Sequence, residues 1–322
     1  MVTSSLRNLL PRLWRHFTRR RKIQFILIFV LTLFTSVAEI MSIGAIIPFL
    51  GVLTSPGELF SQPFFKPFLS ALNITQVEEL LWPVTVIFCV SAIVSAMMRF
   101  SLMAMQTRFG HALGSDLGLS IYRGTLYQPY TIHLSRNSSE VIAGVSRKVE
   151  MLVYDTIGPF LLLMSSSVFL VAIFFVIVMV NPIVAISSAL GLGVVYGLII
   201  ALSKSALLKS SDTLNRTLNT MFKVLQEGLG GIRDVLIDGS QEIYANSYRT
   251  ADRRLRRAQG NVTIIGAAPR FGVEALALVS IALAAYYLSD NSGELMSAIP
   301  LLGALALAAQ RCLPAAQQLY SA

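Results

Sequence analysis

The stretch Gln226–Glu242, which reads QEGLGGIRDVLIDGSQE, decides how the rest of the chain is interpreted. It is polar, charged and punctuated by glycine, whereas the other long segments are strongly apolar. Helical patterns approach this stretch from Lys204 and leave it through Arg257. A polar helical segment of this kind, which projects from the apolar segments, predicts a surface that contacts another molecule or domain.

The composition predicts an all-α, polytopic membrane protein. Of the 322 residues, 54% are hydrophobic and only 13% are charged, and the mean hydropathy is +0.66. A soluble domain usually carries about twice this share of charge. Several apolar runs are long enough to cross ~30 Å of hydrocarbon, whereas a β-barrel would show short alternating segments.

The cysteines and histidines predict neither a metal centre nor a catalytic site. Cys89 and Cys312 lie inside apolar runs without a ligand neighbour at metal-binding spacing, which predicts packing roles. His16, His111 and His133 are scattered along the chain. The first apolar run, of about 30 residues, is also too long for the core of a secretory signal.

Residues 1–22 hold seven Lys and Arg residues interleaved with apolar ones. This pattern predicts a cytosolic amphipathic helix at the membrane surface, with a plain positive-inside anchor as the alternative. Residues 23–322 predict a six-helix membrane domain. The expected spans are Ile23–Leu53, Leu80–Met103, Ile157–Val180, Pro182–Leu202, Val262–Leu288 and Leu295–Leu319.

Two long polar excursions, Thr107–Asp155 and Ser203–Thr263, separate these spans. Together with the N-terminus they carry 22 of the 26 Lys and Arg residues. The positive-inside rule therefore predicts that both termini and both excursions are cytosolic. This distribution explains the net charge of +9 without a nucleic-acid partner. Each excursion, folded as two antiparallel helices, would reach roughly 40 Å beyond the bilayer.

The connection between the first two spans contains phenylalanines at nearly helical spacing. They are Phe60, Phe64, Phe65 and Phe68. This spacing predicts a short amphipathic helix on the outer membrane surface that faces lipid or the tail of a lipid substrate. An ordinary re-entrant packing loop is the alternative.

The two excursions break at YQPYTIHLSRN, Tyr127–Asn137, and at GLGGIRDVL, Gly228–Leu236. With six spans and long intracellular extensions, these breaks resemble those of the transmembrane domain of ABC exporters of the type IV fold. In that family such breaks are transverse coupling helices that dock into nucleotide-binding domains. The resemblance implies this role for Tyr127, Tyr130, His133, Gly230, Arg233 and Asp234, and a solvated loop tip is the alternative for either stretch.

The chain lacks the motifs of the ATPase that drives such exporters. Neither a G-x-x-x-x-G-K-[ST] phosphate loop nor an LSGGQ-type signature occurs. The resemblance therefore implies that ATP and Mg bind through a nucleotide-binding domain outside this chain, either fused or a separate subunit. The end at Ala322, where the sixth helix of the family continues, favours a fused domain.

Within the exporters, the sequence is most similar to bacterial lipid-linked oligosaccharide flippases. The similarity rests on YQPY, on the external phenylalanine segment and on Pro269, Arg270, Phe271 and Glu274. It implies a homodimeric half-transporter of the bacterial inner membrane that moves a polyprenyl-pyrophosphate glycan. Export of another lipid, a peptide or a drug is the alternative. A membrane enzyme or receptor would show a polar cluster or binding loop that the sequence lacks.

Arg99, Arg270 and Arg311 fall inside the second, fifth and sixth predicted spans. Insertion of an arginine at the middle of the bilayer costs about 2.5–3.5 kcal/mol of free energy. We therefore expect each of these arginines to have a structural or functional role. Counted from the outer helix ends, they sit roughly 21–28 Å deep and are expected to share one layer. Three planar guanidiniums suit a pyrophosphate. The alternatives are an Arg270–Glu274 pair and an Arg99 side chain that reaches the cytosolic boundary, and Glu39 is expected to be a structural partner.

Overall fold

The computed structural model describes residues 17–54, 78–135, 149–180, 182–292 and 295–321. Within these ranges the chain is almost entirely helical and contains no strand. The predicted phenylalanine helix lies outside the described residues, and so does most of the predicted N-terminal helix. Both stay predictions.

The described chain consists of long helices interrupted by short ones. They are α1 (Arg19–Gly44), α2 (Ile46–Thr54), α3 (Leu81–Leu126), α4 (Tyr130–Ser135), α5 (Gly158–Val180), α6 (Pro182–Gly230), α7 (Ile232–Ile237), α8 (Gln241–Ser292) and α9 (Leu295–Ser321). A 3₁₀ turn, Glu78–Leu80, precedes α3, and a π-helical turn, Val153–Ile157, precedes α5. The first compact unit comprises Met1–Val180 and Ser280–Tyr320, and the second comprises Asn181–Val279.

Among the described residues, four helical segments are long and apolar enough to cross a membrane. They are Arg19–Thr54, Leu81–Leu126, Val149–Met179 and Gln241–Leu283. Large apolar side chains on them, such as Phe34, Met97 and Val171, are more than half exposed, as expected of surfaces that face lipid. The all-α membrane class is confirmed, and the count of six spans stays a prediction.

Three helices are much longer than a bilayer requires. Helix α3 has 46 residues, α6 has 49 and α8 has 52. At 1.5 Å per residue they are roughly 70–80 Å long, more than twice the ~30 Å hydrocarbon thickness. Within the described residues, the polar excursions therefore contain direct helical continuations of the apolar segments, as the sequence predicted.

The first predicted span is less regular than expected, and the third is a regular helix from Gly158 to Val180 that follows a π-helical turn. The predicted run Ile23–Leu53 is broken, because α1 ends at Gly44 and α2 begins at Ile46. Pro48 lacks a backbone N–H and cannot donate to the preceding turn. Before Pro159, the N–H of Gly158 donates to the carbonyl of Val153, which gives the π-helical turn.

The core of the first unit packs α1 and α3 against α5 and the π-helical turn. Ile28, Phe109 and Ile157 are among its buried side chains. Gly114 of α3 lies directly against Val153, so that a Cβ atom on Gly114 would be 2.5 Å from Val153 Cγ2. Only glycine permits this close approach of α3 to the π-helical turn.

One end of the α1–α3 pair is fixed by a fully engaged arginine, which we call the Arg21 clasp. Arg21 Nε donates to Asp116 Oδ2 over 2.7 Å, and Nη2 donates to Asp116 Oδ1 over 3.2 Å. Arg21 Nη1 also donates to Gln24 Oε1 over 2.7 Å, and Nη2 to the Ala112 carbonyl over 3.2 Å. Such bidentate pairing fixes geometry as well as contributing energy. The clasp therefore sets the register of these antiparallel helices.

Candidate functional site

Helix α1 turns a polar face toward the protein interior. Its buried polar residues are Thr32, Thr35, Ser36, Glu39 and Ser42. Their spacing of three or four residues places them on one face. The hydroxyls of Thr32, Thr35 and Ser36 each donate to the carbonyl four residues earlier, over 2.8–2.9 Å. These donors are thus satisfied by the helix itself, and the hydroxyl oxygens retain acceptor capacity.

This polar face borders a cavity of about 470 Å³ within the first unit. Helices α1, α3, α5 and α9 all contribute to its lining, which includes Ser36, Gln106, Ser165 and Gln318. Gln106 Nε2 donates to the Leu161 carbonyl over 3.2 Å and joins α3 to α5. The hydroxyl of Ser166 donates to Gln318 Oε1 and joins α5 to α9. Polar side chains therefore both line and hold together this cavity.

Among the described residues, three charged side chains line the cavity: Glu39, Arg99 and Arg311. Arg99 Nε lies 3.3 Å from Glu39 Oε1. Arg311 Nη1 donates to Ser95 Oγ over 3.4 Å, and Ser95 is completely buried. Electrostatic interactions connect Glu39 with both arginines. Two guanidiniums and one carboxylate leave the described lining with one net positive charge.

These charges lie well inside the apolar lengths of their helices. At 1.5 Å per residue, Arg99 is roughly 27 Å from the start of α3, and Arg311 roughly 24 Å from the start of α9. The structure brings both arginines to the same cavity. Arg99 pairs with Glu39 and does not extend toward a helix end, which agrees with a structural partnership for Glu39. Their predicted contact with substrate stays a prediction.

Arg270 belongs to the second unit, on α8, and its place in the same site stays a prediction. Its side chain is exposed, and so is that of Glu274. Among the ion pairs of the described residues, none joins these two side chains, so the predicted Arg270–Glu274 pair is not formed. Pro269 lies buried inside α8 beside Arg270. An internal proline removes one helical hydrogen bond at this point.

The first predicted break forms a short helix at the end of the long helix α3. Helix α3 ends at Leu126, and α4 follows over the six residues Tyr130–Ser135. Tyr127 is 84% exposed, Tyr130 is 74% exposed, and His133 is exposed as well. These three predicted docking residues are therefore accessible in the first unit.

The second predicted break forms an equally short helix, α7, between α6 and α8. Arg233 and Asp234 are exposed on it, and Val235 is buried as its anchor. Gly230 is the last residue of α6. Each long polar excursion thus contains a six-residue helix, which is the geometry expected of coupling helices. Their docking role itself stays a prediction.

Glycine permits the tight return from α7 to α8. Gly239 has φ = 64°, in the left-handed region that L side chains rarely adopt. The N–H of Ser240 donates to the Val235 carbonyl over 3.1 Å and closes the turn. At the end of α6, a Cβ on Gly228 would lie 3.3 Å from the Tyr244 ring. Gly239 and Gly228 are therefore glycines for two different steric reasons.

The Arg99–Glu39 pair and the inward polar face of α1 were not predicted from the sequence. The signal was present as Thr32, Thr35, Ser36 and Glu39, which recur at helical spacing inside an apolar run. Outside this site, Cys89 is exposed, so its predicted packing role is wrong, because its helix surface faces outward. Cys312 packs against a buried cluster that contains Phe169, as predicted. Among the described residues, no cluster of His, Cys, Asp and Glu is suited to a metal ion.

Long apolar helices with polar continuations and an interior polar cavity define a multi-pass α-helical membrane protein. The family model for the ABC transporter transmembrane region matches residues 23–298. Because this match covers most of the chain, the protein belongs to that family, whose members serve transport together with a nucleotide-binding domain. No curated protein matches the chain.

Proposed function

We propose that this chain is the transmembrane domain of a homodimeric, ATP-driven flippase of the bacterial inner membrane. Its cargo is a lipid-linked oligosaccharide with an anionic pyrophosphate. A nucleotide-binding domain outside the chain binds ATP and Mg. The observation that carries this proposal is the cavity lined by Arg99 and Arg311, whose charge Glu39 compensates only in part.

The chemistry of the cavity favours an anionic headgroup. Arginines are costly inside a membrane unless they meet an opposite charge or line a polar cavity. Among the described residues, Arg311 donates its hydrogen bond to the neutral Ser95 hydroxyl over 3.4 Å, and the nearby carboxylate of Glu39 is already paired with Arg99. A guanidinium presents a planar fork of donors that matches phosphate oxygens. A diphosphate would supply the negative charge that this cavity lacks.

The remaining lining suits a hydroxyl-rich group next to that diphosphate. Gln106, Gln310 and Gln318 bring amides to the cavity, and Ser165 and Ser166 bring hydroxyls. The volume of about 470 Å³ lies in the range of small-ligand sites, so we expect the cavity to admit the headgroup with its first sugars. A polyprenyl tail is far larger, so it stays in the surrounding lipid.

The short helices α4 and α7 support the coupling part of the proposal. Leu236 and Ile237 of α7 are 61% and 70% exposed, although both are apolar. Exposed apolar groups at the end of a long extension are suited to burial against a partner. The proposed partner is the nucleotide-binding domain, whose movement would pass through α7 into α6 and α8.

The proposal is tested by ATP-dependent flipping of a labelled polyprenyl-pyrophosphate glycan. The full transporter, with its nucleotide-binding domain, is reconstituted into vesicles as Arg311→Ala and Arg270→Ala variants. We expect each substitution to reduce flipping by about 10-fold or more, since a charge-assisted contact is lost. Arg253→Ala, on an exposed arginine of α8, is the matched control and should retain activity. Unchanged flipping in both the Arg311→Ala and the Arg270→Ala variants would overturn the proposal.

The Arg99–Glu39 ion pair favours a second candidate, an exporter of another lipid, a peptide or a drug. In that case the Arg99 cation is neutralised within the protein by Glu39, and the cargo need not be anionic. Vesicles that carry a neutral lipid or drug cargo distinguish the candidates. Transport of that cargo, unaffected by Arg311→Ala, would support the second candidate over the first.

A further inference from the structure

Two ion pairs join α1 and α3, and they differ in how firmly the arginine is held. In the Arg21 clasp, Nε, Nη1 and Nη2 all donate hydrogen bonds, and the Arg21 side chain is 13% exposed. Arg99, among the described residues, has a single ion-pair contact with Glu39 at 3.3 Å and no hydrogen bond. Its side chain is 45% exposed and lines the cavity.

Glu39, the partner of Arg99, is much less accessible than the arginine. The Glu39 side chain is 12% exposed and belongs to the buried polar face of α1. Moving such a carboxylate out of the cavity is restricted by the surrounding packing. The accessible guanidinium donors of Arg99, in contrast, can be approached from the cavity. The pair therefore combines a fixed anion with a cation that an incoming ligand can reach.

We infer that Glu39 is a resident counter-ion, with which the anionic headgroup of the cargo competes for Arg99. This inference rests on the proposed function and adds a residue that sets specificity. In the empty cavity Glu39 neutralises Arg99. When a phosphate oxygen takes the guanidinium donors, Glu39 stays in place and repels the bound anion.

This competition has two consequences for an anionic cargo. It weakens binding, because a negative charge a few ångströms away opposes a second one in a low-dielectric site. It also makes the site selective for a diphosphate. An anion of single charge that replaces Glu39 at Arg99 adds no favourable interaction energy, whereas a diphosphate brings additional negative charge that Arg311 can bind. A carrier that must release its cargo benefits from such moderated affinity. Glu39 acts through Arg99 and is thus a positioning residue.

Binding of farnesyl diphosphate, with neutral farnesol as the comparison, tests the inference. The full transporter is placed in phosphatidylcholine nanodiscs without nucleotide, as wild type, Glu39→Gln and Glu39→Asp. We expect Glu39→Gln to lower the Kd for farnesyl diphosphate by about 10-fold, the scale set by removal of one nearby like charge. The Kd for farnesol should not change. Glu39→Asp keeps the charge and should restore the wild-type preference.

Asp116→Asn is the matched control, because it also neutralises a carboxylate paired with arginine between α1 and α3. It lies in the Arg21 clasp and should leave both Kd values unchanged in monodisperse protein. If Glu39→Gln weakens diphosphate binding or changes both ligands equally, Glu39 is only structural and the inference is wrong. If the diphosphate binds neither the wild type nor Glu39→Gln, and Arg311→Ala changes nothing, the proposed function fails as well.

Discussion

Arg21 and Asp116 form a bidentate ion pair between α1 and α3, with its closest contact at 2.7 Å. About 26 Å further along the same helix pair, Glu39 of α1 meets Arg99 of α3. The two pairs have opposite polarity, because α1 supplies the cation in one and the anion in the other. A shift of one helical turn would break both, so the four charges specify a single antiparallel register.

The Arg21 clasp is expected to stabilise the fold measurably. Asp116→Ala should lower the free energy of unfolding by about 1–2 kcal/mol, because it leaves two guanidinium donors without their acceptor. Thermal unfolding in detergent, followed by size-exclusion chromatography, measures the change. Asp212→Ala removes the exposed Arg216–Asp212 pair of α6 and should have almost no effect. Equal shifts in the two variants would show that the clasp is energetically no more than a surface pair.

Gly114 is expected to tolerate no side chain. Gly114→Val should destabilise the protein by about 1–3 kcal/mol, because its Cβ would meet the stiff, branched side chain of Val153. The change is measured in the same unfolding assay. Gly124→Ala, near the end of the same helix and with open space around it, should be neutral or slightly stabilising. A neutral Gly114→Val variant would mean that α3 and the π-helical turn can separate freely.

Gly239 is expected to matter for coupling. Gly239→Val forces a β-branched residue into the left-handed region, at about 1–2 kcal/mol, and should reorient α7 relative to α8. In the full transporter we expect cargo-stimulated ATPase activity to fall several-fold while basal activity persists. Gly260→Ala changes a helical glycine with open space around it and serves as the control. Retained stimulation in Gly239→Val would contradict a docking role for α7.

Ser95 is expected to orient Arg311. Ser95→Ala removes the hydroxyl that accepts from Arg311 Nη1, so the affinity for farnesyl diphosphate should fall by about 2–10-fold. Binding in nanodiscs measures this effect. Ser91→Ala is the matched control, because the Ser91 hydroxyl donates to the carbonyl of Phe88 on its own helix. An equal effect in both variants would indicate a general change in α3.

The helical architecture was predictable because it depends on local patterns. Apolar runs, the proline at position 129 and the glycines of Gly228–Gly231 predicted where long helices run and where they break. The structure places α4 and α7 at those breaks. The interruption at Ala45 was missed, because Pro48 acts on a hydrogen bond one turn before itself.

The composition of the cavity was only partly predictable. The cost of burying charge identified Arg99 and Arg311 as residues that need a partner. The partner itself depends on the register between α1 and α3, and hydropathy carries no information about register. Glu39 and Arg99 are distant in sequence and meet only after the two helices pack.

The inward polar face of α1 also bears on how the protein enters the membrane. Thr32, Thr35 and Ser36 satisfy their donors on their own backbone, so α1 can enter lipid before any neighbour exists. The charge of Glu39 is different, since inserting a charged group costs a few kcal/mol until an opposite charge arrives. That charge comes with α3, which is synthesised later. We therefore expect the Arg99–Glu39 pair to favour the packing of α3 against α1 during biogenesis.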